Sequence, residues 1–396
     1  MTCSTSRSPA PLFALGPGAL GRLSADFALQ IREGLARGGA RVAGLPAWLP
    51  RPAPDIEGAA VVVDLGGTHA RAALVALCAE GGLHLLAGPV TAPVPGVGDP
   101  SVSREAFFDA QAALVAALDP PAGLPLGYCF SFPAAVEPDG DARLLRWTKD
   151  IRIAGVEGER VGALLVAALR RRGLVPGPVW VLNDTVAALL AGARRATRDH
   201  AHVIGLVVGT GTNMASFFPR ASLPKLAGEG PDMAVNLESG NLDPCETTLW
   251  DMEIDEASDN PGRQGFEKAV SGRYLPRLLA QVLGDPSRCD PSEGAGALVR
   301  LRVGEGEVAE TAGAILDRSA DLVACGLAAL LEVLGPGRAL VAAEGGLFWK
   351  AGGYPERVGA TLAALLGDAG RVHIARIDDA NLEGAAVAAL AAGGAV

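Results

Sequence analysis

Two short segments, Asp64-Leu65-Gly66-Gly67-Thr68 and Gly209-Thr210-Gly211-Thr212-Asn213, carry backbone N–H groups that few side chains shield. Turns of this kind can cradle phosphate oxygens as an anion nest. Asp64 beside the first turn adds a carboxylate, the kind of oxygen ligand that a phosphate-bound Mg²⁺ takes while keeping its waters. Neither segment has the GxxxxGK[ST] or GxGxxG spacing that opens a helix, which disfavours P-loop hydrolysis and nicotinamide chemistry. Taken alone, such glycine turns are more often tight hairpins, because glycine is the default residue wherever φ is positive.

Asn183-Asp184-Thr185 sits where the run Val179 to Leu182 meets a helical pattern. Two readings stay open: all three residue types cap helices, and Asp184 at a strand end could take the proton of a hydroxyl as its oxygen attacks phosphorus. Trp147-Thr148-Lys149 follows a turn rich in Gly and Asp; Lys149 is either a surface cation or a holder of a sugar oxygen and a transferring phosphate. Asn236-Leu237-Glu238 and Gln264-Gly265-Phe266-Glu267 each set an amide near a carboxylate. That pairing donates and accepts hydrogen bonds as a polyol requires, and it also occurs in solvated loops. The histidines His69, His84, His200, His202 and His373 show no metal-ligand spacing beyond the pair His200 and His202, which reads as surface. No GxSxG is present, so serine-hydrolase chemistry has no support.

The elements that must hold these residues follow one grammar. Ala59 to Val63 is a β-branched run, the glycine turn follows, and Ala70 to Leu77 resumes the apolar pattern. Val203 to Val208, the second turn and Met214 to Phe218 repeat it, so the chain reads as α/β with two lobes on one plan and phosphate between them. Phe27, Ile31 and Leu35 recur four apart, marking an amphipathic helix over 23–35, and a Pro-rich connector, 45–54, ends it. The expected layout is a frayed 1–20, a helix and connector over 21–58 belonging to the large lobe, a small lobe over 59–185, and a large lobe over 186–379. A final helix over 382–392 would bring 380–396 back to the small lobe.

A chain of 396 residues exceeds one ordinary core, since single cores stop growing near ~250–300 residues. Lys+Arg 34 against Asp+Glu 44 gives a net charge of −10, a field of the wrong sign for nucleic acid. Apolar residues at 49% supply a core, yet no apolar stretch reaches the ~20 residues of a membrane span. The N-terminus lacks the basic start and apolar run of an export leader. The six cysteines are scattered without a CxxC pair, which suits reduced thiols and a cytoplasmic location.

Taken in order, the motifs resemble the hexokinase family of the actin-like ATPase superfamily. DLGGTHAR (64–71) is similar to its first phosphate segment. FSFP (130–133), WTK (147–149) and GVEG (155–158) are similar to its sugar signature, LNDT (182–185) to its base segment and VVGTGTN (207–213) to its second phosphate segment. NLESGN (236–241), NPGRQGFEK (260–268) and SGRYL (271–275) continue the likeness, and AEGGLFWK (343–350) resembles its adenosine segment. The likeness runs from about residue 23 to the end of the chain, and FALQIREGL (27–35) and LPAWLP (45–50) resemble the family's entry helix and connector.

The resemblance implies a ribonuclease H-like two-lobed fold with a mixed β-sheet in each lobe, a cleft between them, and transfer from ATP with Mg²⁺ to a hexose 6-hydroxyl. Asp184 would be the base, with Lys149 beside the reaction. Ser131, Phe132, Thr148, Lys149, Asn183, Asn213, Glu238, Gln264 and Glu267 would hold the hexose. Asp64, Gly66, Gly67, Thr68, Arg71, Gly209, Thr210, Gly211, Gly272, Arg273, Gly345 and Gly346 would follow the nucleotide, and Asp64 would meet Mg²⁺ through water. Three departures stand out: His69 for the family's Asn, Asp150 for the Gly after WTK, and Ser239 for the Trp after the sugar-binding Glu. A sugar sensor without catalysis and an ATPase of the actin or chaperone kind remain as alternatives, separable by whether nucleotide turnover depends on sugar.

Overall fold

The computed structural model describes residues 8–78, 82–285 and 288–393. The chain enters the large lobe first. Helix α1 (Pro17–Ala36) starts with Pro17 just inside its end, where a missing N–H costs nothing. It buries Leu23, Phe27, Ile31 and Leu35. The stretch expected to fray is folded from residue 10 onward: a 3₁₀ turn, Ala10–Phe13, precedes α1. Phe13 is fully buried, stacks on Trp250 with ring centroids 6.0 Å apart, and lies 4.9 Å beneath the Arg318 guanidinium. One aromatic anchor overrides the Ser/Pro/Gly composition around it, because burying a Phe outweighs the loose propensity of its neighbours. Cys3 falls outside the described residues, and the five cysteines within them are free thiols.

The short strand β1 (Leu45–Pro46) pairs into the large-lobe sheet, and the chain then builds the small lobe. Strands β2 (Gly58–Leu65) and β3 (His69–Cys78) form the first glycine hairpin, and β4 (Gly82–Pro93) extends it. Helix α2 (Arg104–Ala116) leads to β5 (Leu126–Phe130), followed by the small hairpin β6 (Ala134–Val136) and β7 (Ala142–Leu144). Helix α3 (Val161–Arg171) then leads to β8 (Val179–Leu182). The sheet order is β4-β3-β2-β5-β8, with the β4-β3-β2 contacts antiparallel and the β2-β5-β8 contacts parallel. Val61, Val62, Val63 and Leu65 of β2 are all buried, which is why that strand reads as an unbroken apolar run rather than an alternation.

After α4 (Asp184–Arg195), the strands β9 (His200–Val208) and β10 (Thr212–Phe218) make the second glycine hairpin, and β11 (Met233–Asn236) joins it. Helices α5 (Leu249–Glu256), α6 (Gly265–Val270), α7 (Leu275–Leu283), α8 (Ala295–Arg302) and the long α9 (Glu307–Leu334) come next. The chain closes with β12 (Arg338–Glu344), α10 (Gly346–Lys350), α11 (Tyr354–Leu366), β13 (Val372–Ala375) and α12 (Ala380–Gly393). This sheet runs β1-β11-β10-β9-β12-β13, antiparallel as far as β9 and parallel thereafter. Apart from the edge strand β1 it repeats the small-lobe order. Both lobes therefore have a mixed sheet with its leading hairpin at the centre.

Two helices stand between the sheets. Helix α4 packs on β9, β10 and β12, and α12 packs on β2, β5 and β8. They cross so closely that a Cβ on Gly384 would lie 1.9 Å from the Ala187 carbonyl oxygen, so any larger residue would force the helices apart. Beside the crossing, Arg194 and Arg195 both donate to the fully buried Glu383, at 2.9 and 2.6 Å. No helix among the described residues is long and apolar enough to cross a membrane.

Candidate active site

A cleft of about 1580 Å³ opens between the lobes, and every residue nominated from the sequence lines it. The topology accounts for this convergence. β2, β5 and β8 end side by side, so Asp64, Ser131 and Asn183 emerge along one rim, while the ends of β9 and β12 bring Gly209 and Gly345 to the opposite rim. Strand C-terminal ends in open α/β sheets are where ligands bind.

Each rim of the cleft carries one glycine turn. Asp64, 7% exposed, accepts from Arg71 Nε at 2.9 Å, and Arg71 Nη1 donates to Asp379 at 2.8 Å. Asn381 Nδ2 stands 3.4 Å from Asp64 Oδ1. The Gly66 amide closes its turn onto the His69 carbonyl at 3.0 Å, and Gly67 and Thr68 face the cleft. A Cβ on Gly67 would sit 2.8 Å from Lys149 Cδ, so glycine here makes room for the lysine stem. In the second turn the Gly209 amide donates to the Gly211 carbonyl at 2.9 Å. Behind it Gly272 N donates to Gly209 O at 2.8 Å and Arg273 N to Thr210 O at 3.3 Å. Gly345 and Gly346 join β12 to α10 on the same wall. Among the described residues no group of three or more His, Cys, Asp or Glu is arranged to hold a metal by itself. Asp64, a buried carboxylate beside the first glycine turn, is of the type that could take Mg²⁺, which is usually held by one or two carboxylates together with phosphates and waters.

Between the turns, drawn from both rims, runs a network of amides and carboxylates. Asn183 is the N-cap of α4, its side chain accepting from Thr185 N at 2.9 Å. Asp184 in the first turn accepts from the same amide through Oδ1 at 2.8 Å, and its Oδ2 takes no hydrogen bond from the described residues. Capping and an open carboxylate oxygen thus coexist in neighbouring residues. Lys149 Nζ donates to the Ser131 carbonyl at 2.7 Å and lies 5.4 Å from the Phe132 ring centroid. Thr148 lines the cleft beside it. Gln264 Nε2 donates to Glu267 Oε1 at 3.2 Å, while Glu267 Oε2 accepts from Thr212 N at 3.2 Å, and Asn260 holds Gln264 Oε1.

Asn213 is saturated by protein partners. Its Nδ2 donates to Asn236 Oδ1 at 2.7 Å, and its Oδ1 accepts from Met214 N at 2.8 Å and Ser239 N at 3.0 Å. Asn236 Nδ2 in turn donates to Glu238 Oε1 at 2.8 Å. Asn213 therefore orients the Glu238 loop. Ser239, whose backbone amide makes one of these bonds, is fully buried.

Burial pushes the Glu238 carboxyl above the ordinary range, opposed by the Asn236 hydrogen bond. Glu267 is raised for the same reason, opposed by the Thr212 amide. Glu344, at the end of β12 and on the cleft wall, is pushed up to about 7 by burial, with Arg376 and Arg71 opposing and Asp184 and Asp378 reinforcing. The sequence reading passed over Glu344, Asp379 and Asn381. Glu344 stood inside the quoted AEGGLFWK segment, where a Glu after an apolar run was the available signal. Asp379 and Asn381 gave none, because their partners Arg71 and Asp64 lie 308 and 317 residues away.

The chain matches two family models, both described as hexokinase, over residues 9–194 and over 203–293 with 307–391. It is 29% identical to hexokinase-2 of Candida albicans, over 88% of this chain and 83% of that protein. It is 30% identical to hexokinase-1 of rice, Oryza sativa subsp. japonica, over 86% of this chain and 80% of that protein. Among solved structures it superposes on the hexokinase of Schistosoma mansoni complexed with glucose, with a TM-score of 0.84, 25% identity and 97% of each chain covered. On these matches and the two-lobed actin-like fold that positions the cleft, the chain belongs to the hexokinase family and is a sugar-phosphorylating enzyme.

Proposed function

We propose that the enzyme transfers the terminal phosphoryl group of ATP to the 6-hydroxyl of a hexose, glucose foremost, with Asp184 as general base. The observation that carries this reading is the open Oδ2 of Asp184 at the junction of the lobes, in a cleft bounded by both glycine turns. The Asp184 backbone is fixed by the start of α4, and one carboxylate oxygen is already anchored on the Thr185 amide. The remaining oxygen then accepts the hydroxyl proton as the sugar oxygen attacks phosphorus. Glu238, Gln264, Glu267 and Asn183 supply acceptors and donors that a sugar's hydroxyls would pair, and a ligand lacking those hydroxyls would leave buried polar groups unmatched. Lys149 carries positive charge toward the transferring group from a loop braced on Ser131 and Phe132. The amides of Gly67, Thr68, Thr210 and Gly211 and the Arg71 and Arg273 guanidiniums line the path of the phosphates. Asp64 would hold Mg²⁺ through water, and the ion, when bound, offsets phosphate charge. The glucose in the Schistosoma relative favours that sugar. The product, a hexose 6-phosphate, would enter glycolysis in the cytoplasm.

The test is Asp184→Ala. Loss of a general base costs ~10²–10⁴ in rate, so kcat should fall at least a hundredfold while glucose, followed by intrinsic fluorescence titration, still binds within severalfold. Near-normal turnover in this variant would remove Asp184 from the chemistry. Absence of hexose-dependent ATP consumption by the unaltered enzyme would remove the whole reading.

A further inference from the structure

Asp150 occupies a position that its backbone would give to glycine. It and Lys149 both have φ of 60°, in the left-handed region that a Cβ disfavours. For Lys149 the conformation has an evident use, since it aims the side chain at Ser131 O and Phe132. The Asp150 backbone needs no help from its side chain. Its carbonyl accepts from Gly98 N at 3.0 Å, and the next residue, Ile151, donates to Thr148 O at 3.3 Å and bridges to Val97. A glycine would make the same bonds at lower conformational cost. What the side chain adds is one contact: Oδ1 accepts from Arg273 Nη2 at 3.0 Å.

That contact spans the cleft. Asp150 belongs to the small-lobe loop that carries Thr148 and Lys149, while Arg273 lies in the large lobe between α6 and α7. Arg273 is seated in its own lobe, its side chain 20% exposed against 69% for Asp150, and its backbone amide is fixed to Thr210 in the second glycine turn. A continuous path therefore runs from Ser131 and Lys149, through Asp150 and Arg273, to Thr210. Strained non-glycine residues persist where surrounding interactions hold them, and they concentrate at functional sites.

We propose that Asp150 is a positioning residue whose carboxylate latches the lobes through Arg273, so that sugar on one side raises the affinity for nucleotide on the other. The proposal rests on the hexose-kinase reading. With the lobes drawn together over a sugar, Asp150 holds the Arg273 guanidinium beside the Thr210 turn, where the phosphates are received. With the lobes apart the guanidinium loses that restraint, and the donor must order it on arrival. Coupling of this kind is reciprocal, so nucleotide raises sugar affinity by the same factor. A partly exposed pair contributes modestly and is weakened by salt, so the latch accounts for about a two- to fivefold share of the coupling.

The experiment measures the affinity of the non-hydrolysable analogue AMPPNP, with Mg²⁺, in the presence and absence of saturating glucose, for the intact enzyme and for Asp150→Gly and Asp150→Asn. The glycine variant fits the left-handed backbone better than aspartate does, so it cannot be dismissed as misfolded. The asparagine variant also tolerates that backbone and keeps the shape, but removes the charge. Expected is a two- to fivefold smaller ratio of affinities in both variants, with kcat and the glucose affinity measured without nucleotide changed less than twofold. Raising NaCl from 20 to 500 mM should shrink the ratio of the intact enzyme toward that of the variants and leave theirs nearly unchanged. Full coupling retained by either variant, or a ratio in the intact enzyme indifferent to salt, overturns the latch. A tenfold fall in kcat with coupling intact overturns it too, since Asp150 would then act in the chemistry. These outcomes are distinct from failure of the kinase reading, which is the absence of hexose-dependent turnover in the intact enzyme.

Discussion

Glu344 gives the clearest physical test of the electrostatics of the cleft wall. Its carboxyl is pushed from an ordinary 4.5 to about 7 by burial at the end of β12, and the neighbouring Asp184 and Asp378 charges reinforce the shift. A folded-state value above the unfolded one means that folding favours the protonated form. The associated stability is complete below pH 4.5, declines as pH rises through the interval, and is gone above about 7. At 1.36 kcal/mol per unit, the charged carboxylate costs the folded enzyme about 3 kcal/mol at pH 8 and somewhat under 1 kcal/mol at pH 5. Glu344→Gln keeps the shape and does not titrate. The variant's advantage over the unaltered enzyme should therefore grow by about 2.5 kcal/mol between pH 5 and pH 8, seen as a difference in melting temperature that widens by roughly 3 °C toward the upper pH. The assay is ligand-free thermal unfolding of both proteins over that pH range, with circular dichroism as the probe. A difference that stays constant with pH, or a variant that is the less stable at pH 8, would refute the premise that this carboxylate is buried without adequate compensation.

Three further outcomes follow from the same geometry. Under the proposed function, Glu238→Gln and Glu267→Gln each turn one oxygen of a sugar-binding carboxylate into an NH2 donor and remove its charge, a hydrogen bond to a charged group being worth ~1.5–3 kcal/mol. The KM for hexose should rise about tenfold or more in a coupled assay over a sugar panel, with a smaller effect on kcat. Gly67→Ala puts a methyl 2.8 Å from Lys149 Cδ and must displace that side chain; steady-state kinetics should give a kcat lowered at least tenfold, with thermal stability little changed. Phe13→Ala empties a fully buried site beneath Arg318 and beside Trp250. Loss of a buried Phe costs about 3–5 kcal/mol, so denaturant unfolding should show a marked destabilisation while the KM values of the folded enzyme stay unchanged.

What could be read in advance from the sequence was whatever lies in short contiguous strings. The two glycine hairpins announce themselves because a β-branched run, a glycine turn and a second apolar run are adjacent in the chain, and the observed β2-β3 and β9-β10 pairs follow that order. The strand ending at Leu182 was legible for the same reason, as was the helix after it, expected over Val186 to Arg195 and observed from Asp184. The N-terminal segment was misread because composition reports average flexibility and is silent about a single Phe finding a pocket. Asp379 and Asn381 were invisible because only the return of α12 across the small-lobe sheet brings them to Arg71 and Asp64. Nor could the pattern show that Asn213 spends its amide on Asn236, Met214 and Ser239, since saturation is a property of three-dimensional neighbours.

The backbone adds a layer that residue identity conceals. Lys149, Asp150, Glu238 and Gln264 all hold φ between 54° and 60°, all line the cleft, and none is glycine. Each keeps a side chain where a glycine would be cheaper by the known cost of a Cβ in the left-handed region, ~1–2 kcal/mol per residue. Under the proposed function Lys149, Glu238 and Gln264 present their groups to sugar or phosphate, which would account for their strain. Asp150 is the fourth, and its only side-chain contact among the described residues is the guanidinium across the cleft. If the strain at the first three is retained because it aims chemistry, the same reasoning applied to the fourth requires that the Arg273 contact have a function. The glycine substitution isolates that requirement, because it relieves the strain and abolishes the contact in one step. An enzyme made more stable but less able to sense its sugar would show that stability at residue 150 has been given up for coupling between the two substrates.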